Sequence, residues 1–401
     1  MSVPLNNDRW RDNDITPKAE SLIPFHTFLW KISSRCNINC SYCYIYNLAD
    51  SRWQAQPHLM GDAVAKQTAT RMRQHCEAHD KHDIRIVFHG GEPLLGGVRH
   101  LDRLTSIISE EFKSFDIKIS IGMQSNALLF DEDIGKFLLA RGMSMGVSLD
   151  GPPHVNDLYR VDHMGGATSA ALEERLRLLT SQFDSIFSGF LCVINPDADP
   201  VEVTDYLLSW NPPSIDFLFP LDHHDRLPRG KTEDPSARPY GQWLIQAFEH
   251  WLRTESSCRI RIFNSIIELL CGEHSPVESL GVDPVDLIVV ETNGSIEGVD
   301  SLKATFDGAT FLGMNVFEHA FDDVARHLAV RSRQIGAAGL CETCQKCPIV
   351  QVCGGGYIPH RYSHRRGFDN PSVYCTDLDA IIRHIYTTLR HELELSKEVT
   401  V

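Results

Sequence analysis

SSRCNINCSYCYIYN, residues 33–47, places Cys36, Cys40 and Cys43 within eight residues at the spacing C-x3-C-x2-C. Structural zinc sites take four ligands, and ordinary iron–sulfur clusters take one thiolate per iron. Three cysteines on a four-iron cluster leave one iron without a protein ligand. A catalytic metal needs such an open position to receive a substrate or cofactor. Two plainer readings compete. Three buried thiols in a loop are disfavoured by the polarity of the stretch and its position after a strand. Zinc would need a fourth ligand, and the loop side supplies no further His or Cys nearby.

The segment before it, FHTFLWKIS (25–33), reads as a strand. Helical patterns near 61–79, 98–113, 131–141, 169–181 and 201–209 then separate strands at 83–88, 117–125, 144–151, 186–195 and 215–221. Alternating strands and helices build a parallel sheet. Six such units are too few for a closed eight-stranded barrel, so the expected fold is α/β, a partial (β/α)6 TIM-type barrel. Its active groups should lie at the carboxyl ends of the strands. Helices near 241–254 and 262–271, a hairpin over 286–302 turning at Asn293-Gly294, a helix near 318–330 and a C-terminal helix at 376–396 follow. The expected organisation is a polar arm (1–24), the partial barrel (25–240), connecting helices and hairpin (241–330), and a small cysteine-rich domain (331–401).

Composition narrows the class. The chain has 401 residues, with 53 acidic and 38 basic side chains for a net charge of -15. That balance argues against a nucleic-acid partner. No apolar run reaches the length of a membrane span, and the N-terminus lacks the apolar core of a secretory signal. A cytoplasmic location is expected. Twelve cysteines in such a chain point to metal ligation before disulfides, because eight fall in two groups, 36–43 and 341–375. Cys76, Cys192, Cys258 and Cys271 read as small buried hydrophobes. HCEAH (75–79) sets two histidines at i and i+4 on a helix, read as a solvated face.

The triplet, with Tyr42 before its last cysteine, at the end of the first strand of a βα series, resembles the radical S-adenosylmethionine (SAM) enzymes. The resemblance implies a [4Fe-4S] cluster on Cys36, Cys40 and Cys43 that chelates SAM and cleaves it to a 5′-deoxyadenosyl radical. Other strand ends match. Gly90, Gly91 and Glu92 in GGEP resemble the motif that contacts the methionine amino group. Gln124, Ser125, Asn126 and Ser148 resemble positions lining the ribose and methionyl end. Arg160 resembles an arginine that pairs with the cofactor carboxylate, and Asn195 is a candidate at the fifth strand end.

The second group, Cys341, Cys344, Cys347, Cys353 and Cys375, resembles the SPASM-type (twitch-like) extension of peptide-modifying radical enzymes. Cys344, Cys347, Cys353 and Cys375 match one full auxiliary [4Fe-4S] ligand set. Two positions expected to serve a further cluster carry Val299 and Tyr357. Cys341 is surplus, either unused or a replacement ligand. Zinc on four thiolates is the competing reading of this domain. Asp300, beside Val299, resembles an aspartate that faces the substrate and takes a proton.

The tail VCGGGYIPHRYSHRRGFDNPSVYC, with LWKISSRCN and VVETNGSIEGVDSLKATFDG, resembles maturases that join an aromatic ring to a nearby Cβ in a ribosomally made peptide, giving a cyclophane. The resemblance implies a precursor peptide as substrate and an external electron donor such as flavodoxin or ferredoxin. A radical enzyme acting on a sugar or nucleoside would use the same cysteines. A non-catalytic redox sensor would have no need of GGEP.

Overall fold

The computed structural model describes residues 22–398 except 255 and 276. Most of the arm expected at 1–24 therefore lies outside the described residues.

The first half follows the alternation read from sequence. In chain order come β1 (Thr27–Ser33), α1 (Asp62–Ala78), β2 (Asp83–Gly90), α2 (Gly97–Phe112), β3 (Lys118–Ser125), α3 (Glu132–Ala140) and β4 (Ser144–Ser148). A one-turn α4 (Pro153–Asn156), α5 (Ser169–Gln182), β5 (Phe187–Val193), α6 (Pro200–Leu208) and β6 (Ser214–Leu218) complete the series. Each of β1 to β6 pairs in parallel with the next. The helices bury one apolar stripe against the sheet, as in α2, where Leu101, Leu104, Thr105, Ile107, Ile108 and Phe112 face inward. Asp131 starts α3 and Asp199 starts α6 by accepting backbone N–H groups from the first turn.

The sheet does not end at β6. A two-residue β7 (Arg259–Ile260) extends it at one edge. At the other edge, β8 (Leu287–Val290) pairs in parallel with β1, and β9 (Ser295–Glu297) and β10 (Phe311–Asn315) continue antiparallel. The ten strands run β10-β9-β8-β1-β2-β3-β4-β5-β6-β7. The hairpin read from Asn293-Gly294 thus lies directly beside the strand that delivers the first three cysteines. Gly294, at φ 85°, supplies the turn.

Three expectations need correction. The helix expected at 318–330 is two short ones, Phe321–Ala325 and Leu328–Arg331. The break falls at His327, whose ring accepts the Ala329 N–H and starts the second. HCEAH is also no solvated face. His75 is 3 % exposed. Its Nε2 accepts the Phe25 N–H at 2.9 Å, so Nδ1 carries the proton and donates to Asp322 at 2.6 Å. His79 Nε2 meets the same carboxylate oxygen at 2.9 Å. These three groups pin α1 to Phe25, just before β1, and to the helix Phe321–Ala325. A metal on His75 Nδ1 would need a proton on Nε2, where the Phe25 N–H already points. Of the scattered cysteines, Cys76, Cys192 and Cys258 are buried as expected, but Cys271 is exposed.

Candidate active site

The carboxyl ends of the strands converge on the loop after β1. Gly90 and Gly91 are there because nothing larger fits. A Cβ on Gly90 would lie 1.9 Å from the Ser33 carbonyl oxygen, and one on Gly91 would lie 1.9 Å from the Tyr46 hydroxyl. The Gly91 and Glu92 N–H groups donate to the carbonyls of Ser33 and Arg35 at 2.9 and 2.8 Å, so the end of β2 and the cysteine loop form one unit. Glu92 is fully buried. Its Oε1 accepts from the Leu94 N–H at 2.9 Å and the Ser125 hydroxyl at 2.8 Å, and Oε2 accepts from the Asn126 N–H at 2.8 Å. Its carboxylate therefore ties the end of β3 to the end of β2.

Asn126 carries that tie back to the cysteines. Its side-chain amide donates to Asn37 Oδ1 at 2.8 Å and to Cys36 Sγ at 3.6 Å. Gln124 donates to the Ser148 hydroxyl at 2.9 Å, so two more of the expected residues meet at neighbouring strand ends. Arg160 is 7 % exposed. It donates to the Tyr42 hydroxyl at 2.9 Å, and Tyr42 in turn donates to Asp150 at 2.5 Å. Asp150 also accepts the Val193 N–H at 2.9 Å. Burial pushes the Cys40 thiol up, and the Arg160 charge opposes that shift in part. Asn195 is buried, but its side chain accepts the Asp197 N–H at 3.2 Å and caps its own turn.

On the opposite side of the loop stands Asp300. It begins a helical turn, Asp300–Ala304, that follows β9. Its Oδ2 accepts from Lys31 Nζ at 2.5 Å and from the Tyr44 hydroxyl at 2.7 Å. Lys31 also reaches His89 Nδ1 at 3.1 Å. Burial pushes the Asp300 carboxyl up, but Lys31, His89 and the two hydrogen bonds together hold it well below the ordinary carboxylate range. Burial, then Lys31, pushes His89 down to about 3, so its ring is neutral and free to accept from the lysine. Lys303, in the same turn as Asp300, pairs with Glu291 at 2.5 Å and Glu297 at 3.0 Å, fixing the turn to the hairpin.

Asp150, Lys31, Tyr44 and His89 were not singled out from sequence. Lys31 carried the plainest signal, a lone charge inside the apolar strand TFLWKIS. Buried lysines are rare unless paired. Asp150 and His89 both sit at strand ends, where function collects, but nothing local marks their partners.

The residues suit an iron–sulfur cluster at the first triplet. Among the described residues, three metal-ligating atoms come within 4.8 Å of one another only at His75, His79 and Asp322. The cysteine sulfurs are therefore spread more widely than the roughly 3.8 Å that a tetrahedral Zn–S bond of about 2.3 Å implies. The Tyr46 hydroxyl, within electrostatic reach of Cys36 and Cys43, is buried with no hydrogen-bond partner. Burial pushes the Cys36 and Cys40 thiols up to about 12 and about 11, so they stay protonated unless a metal draws the proton off.

The second cysteine group is built differently. Cys341, Cys344 and Cys353 are buried, Cys347 is half-buried and Cys375 is exposed at the start of the C-terminal helix Cys375–Glu398. Cys341 packs with Cys344 in one small buried cluster, so the surplus thiol lies within the group. Gly354, Gly355 and Gly356, at φ 59°, 74° and 70°, turn three carbonyls onto the Arg361 guanidinium at 2.5–3.2 Å. Burial pushes the Cys344 and Cys353 thiols up to about 12 and about 11, and the Arg361 charge opposes this only in part. At the two positions expected to have lost a cluster, Val299 is buried and Tyr357 is half-buried near Ser301, with its hydroxyl pushed up by burial. Glu278, paired with Arg333 at 3.0 Å, lies within electrostatic reach of Tyr357.

Comparisons with known proteins agree with this arrangement. The family model described as "Radical SAM superfamily" matches residues 30–207. A cysteine-type anaerobic sulfatase-maturating enzyme of Clostridium perfringens is 24% identical over 91% of this chain and 97% of its own length. An uncharacterized protein of Archaeoglobus fulgidus is 30% identical over 85% of this chain and 76% of its own. The solved structure of native anSMEcpe with bound AdoMet superposes with a TM-score of 0.77 at 24% identity, over 91% of this chain and 98% of that one. The partial barrel with its strand-end cysteine loop is thus a radical SAM fold. The chain belongs to the radical SAM superfamily, with a SPASM-type C-terminal extension, and is an enzyme that uses SAM and [4Fe-4S] clusters. No helix among the described residues is long and apolar enough to cross a membrane.

Proposed function

We propose that the chain is a peptide maturase that joins an aromatic ring carbon to a nearby Cβ of a ribosomally made precursor. Cys36, Cys40 and Cys43 hold the first cluster. Tyr42, Gly90, Gly91, Glu92, Gln124, Ser125, Asn126, Ser148, Arg160 and Asn195 form or brace the SAM pocket. Cys344, Cys347, Cys353 and Cys375 hold one auxiliary cluster. When bound, the first cluster and SAM supply a 5′-deoxyadenosyl radical able to take a hydrogen atom from carbon, given one electron from a donor such as flavodoxin or ferredoxin. The peptide would give up a hydrogen atom from Cβ to that radical and, as the carbon–carbon bond forms, one proton and one electron from the ring, the electron being one that an auxiliary cluster on Cys344, Cys347, Cys353 and Cys375 would accept. The net change in the peptide is the loss of two hydrogens.

Asp300 takes the proton. The observation that carries this reading is its position. The hydroxyl of Tyr44, the residue after Cys43, donates to Asp300 Oδ2 at 2.7 Å, so the carboxylate stands at the edge of the cysteine loop. General-base catalysis depends first on such placement.

A second reading is favoured by those relatives that are named sulfatase-maturating enzymes. On that reading the substrate is a sulfatase chain. Anaerobically reconstituted enzyme, SAM and a reductant should convert a precursor peptide with an aromatic-rich end to a product two hydrogens lighter, with no backbone fragments between the joined residues. A cysteine- or serine-type sulfatase that gains activity, with the peptide unchanged, would move the assignment to the second reading. Release of no 5′-deoxyadenosine with either would remove both.

A further inference from the structure

A lysine in the middle of an apolar strand costs several kcal/mol of desolvation unless its charge is matched, so its retention calls for a reason. Lys31 is 2 % exposed and lies on β1, five residues before Cys36. Both donors to Asp300, Lys31 and Tyr44, fall on Oδ2. Among the described residues none falls on Oδ1. The carboxylate is thus gripped on one oxygen only.

We propose that Lys31 is a positioning residue for the reaction, a fixed buried cation that keeps the Asp300 carboxylate ionised and turns Oδ1 toward the substrate proton. This rests on the reading of Asp300 as the proton acceptor.

The surroundings leave the lysine as the group that decides the charge. Facing Asp300 are Lys31 from β1, Tyr44 from the cysteine loop and His89 from β2, with Tyr357 and Glu278 within electrostatic reach from the C-terminal half. Tyr44 and Tyr357 are pushed up by burial and stay neutral. His89 is neutral and accepts from Lys31. Glu278 is matched by Arg333 at 3.0 Å. Without the lysine, burial is opposed only by the Tyr44 hydrogen bond and by His89, and the carboxyl takes up a proton at milder acidity than in the native enzyme. His89 completes the arrangement, its ring nitrogen accepting from the same ammonium at 3.1 Å.

The test is the amount of product formed per 5′-deoxyadenosine released, which isolates events after hydrogen abstraction. In the native enzyme this ratio should change less than twofold between pH 8 and pH 5.5. In Lys31→Gln it should fall at least tenfold over the same interval. Lys31→Arg, which keeps the charge, should restore the flat profile. A flat profile in Lys31→Gln overturns the inference and leaves Asp300 as the base. If Asp300→Asn keeps the native ratio, the base reading itself is lost. Should neither lysine variant fold, the native profile decides: an acid limb between pH 5 and pH 7 overturns the proposal, and its absence supports it.

Discussion

The two cysteine groups of this molecule solve the same chemical problem in opposite ways. The first takes its supporting groups from distant strands. Asn126 from the end of β3 reaches Cys36, and Arg160, reached after β4, serves Cys40. Its three thiols are half-buried, and its loop rests on two glycines at the end of β2. The second is nearly self-contained. Five thiols gather within 35 residues around an arginine held by the three glycine carbonyls that directly follow Cys353. A site that must open to a cofactor and then close on a radical benefits from groups on several rigid elements. A site that passes electrons or braces a loop-rich segment needs only a closed ligand set.

Cys40→Ala probes the first group most severely. It should abolish 5′-deoxyadenosine release, because two remaining thiolates do not hold the site. Cys353→Ala should spare that release while stopping product formation, and equal loss of release in both variants would erase the contrast. Asp300→Asn stands between the groups. It should leave cleavage of SAM intact and lower product formation about 10²- to 10⁴-fold, the usual worth of a positioned base. Single-turnover product analysis checks it.

Smaller effects test the support of the second group. Lys231 pairs with Asp377 at 2.5 Å in the first turn of the C-terminal helix, and both are buried. Lys231→Met strands that carboxylate and should cost roughly 3–5 kcal/mol, read as a lower unfolding midpoint. The smallest expected effect is a pH slope. His360, buried beside Tyr357 and Tyr374, is pushed by burial to about 3. Its folded form binds fewer protons than the unfolded form between about pH 3 and the free value near 6.5. Stability from this group is therefore complete above 6.5 and drains away as pH falls toward 3. Between pH 7.5 and 5.5 the loss should be about 1 kcal/mol, and His360→Phe should remove it from the urea-unfolding difference. An unchanged slope would show that the ring titrates normally.

Much of the barrel could be read directly. Six strands, their order and the strand-end position of the cysteine loop follow from periodicity and spacing, and the observed limits differ by only a few residues. The reading failed where partners are remote. HCEAH looked like a solvated face because Asp322 lies more than 240 residues away. The helix expected near 318–330 broke at a histidine that caps the next turn. Arg160 could equally have been a surface residue until Tyr42 and Asp150 closed around it.

By itself the sequence determined the thiol spacing, the alternation that puts the loop at a strand end, and the glycines that let the backbone come close. These are local properties of a few consecutive residues, and local sterics decide them. Only the tertiary structure decided that Lys31 faces Asp300 across 269 positions of chain, and that the hairpin carrying Asp300 lies beside β1. The charge on a buried group depends on whatever the fold brings within a few ångströms of it, and that proximity is not written in any one segment.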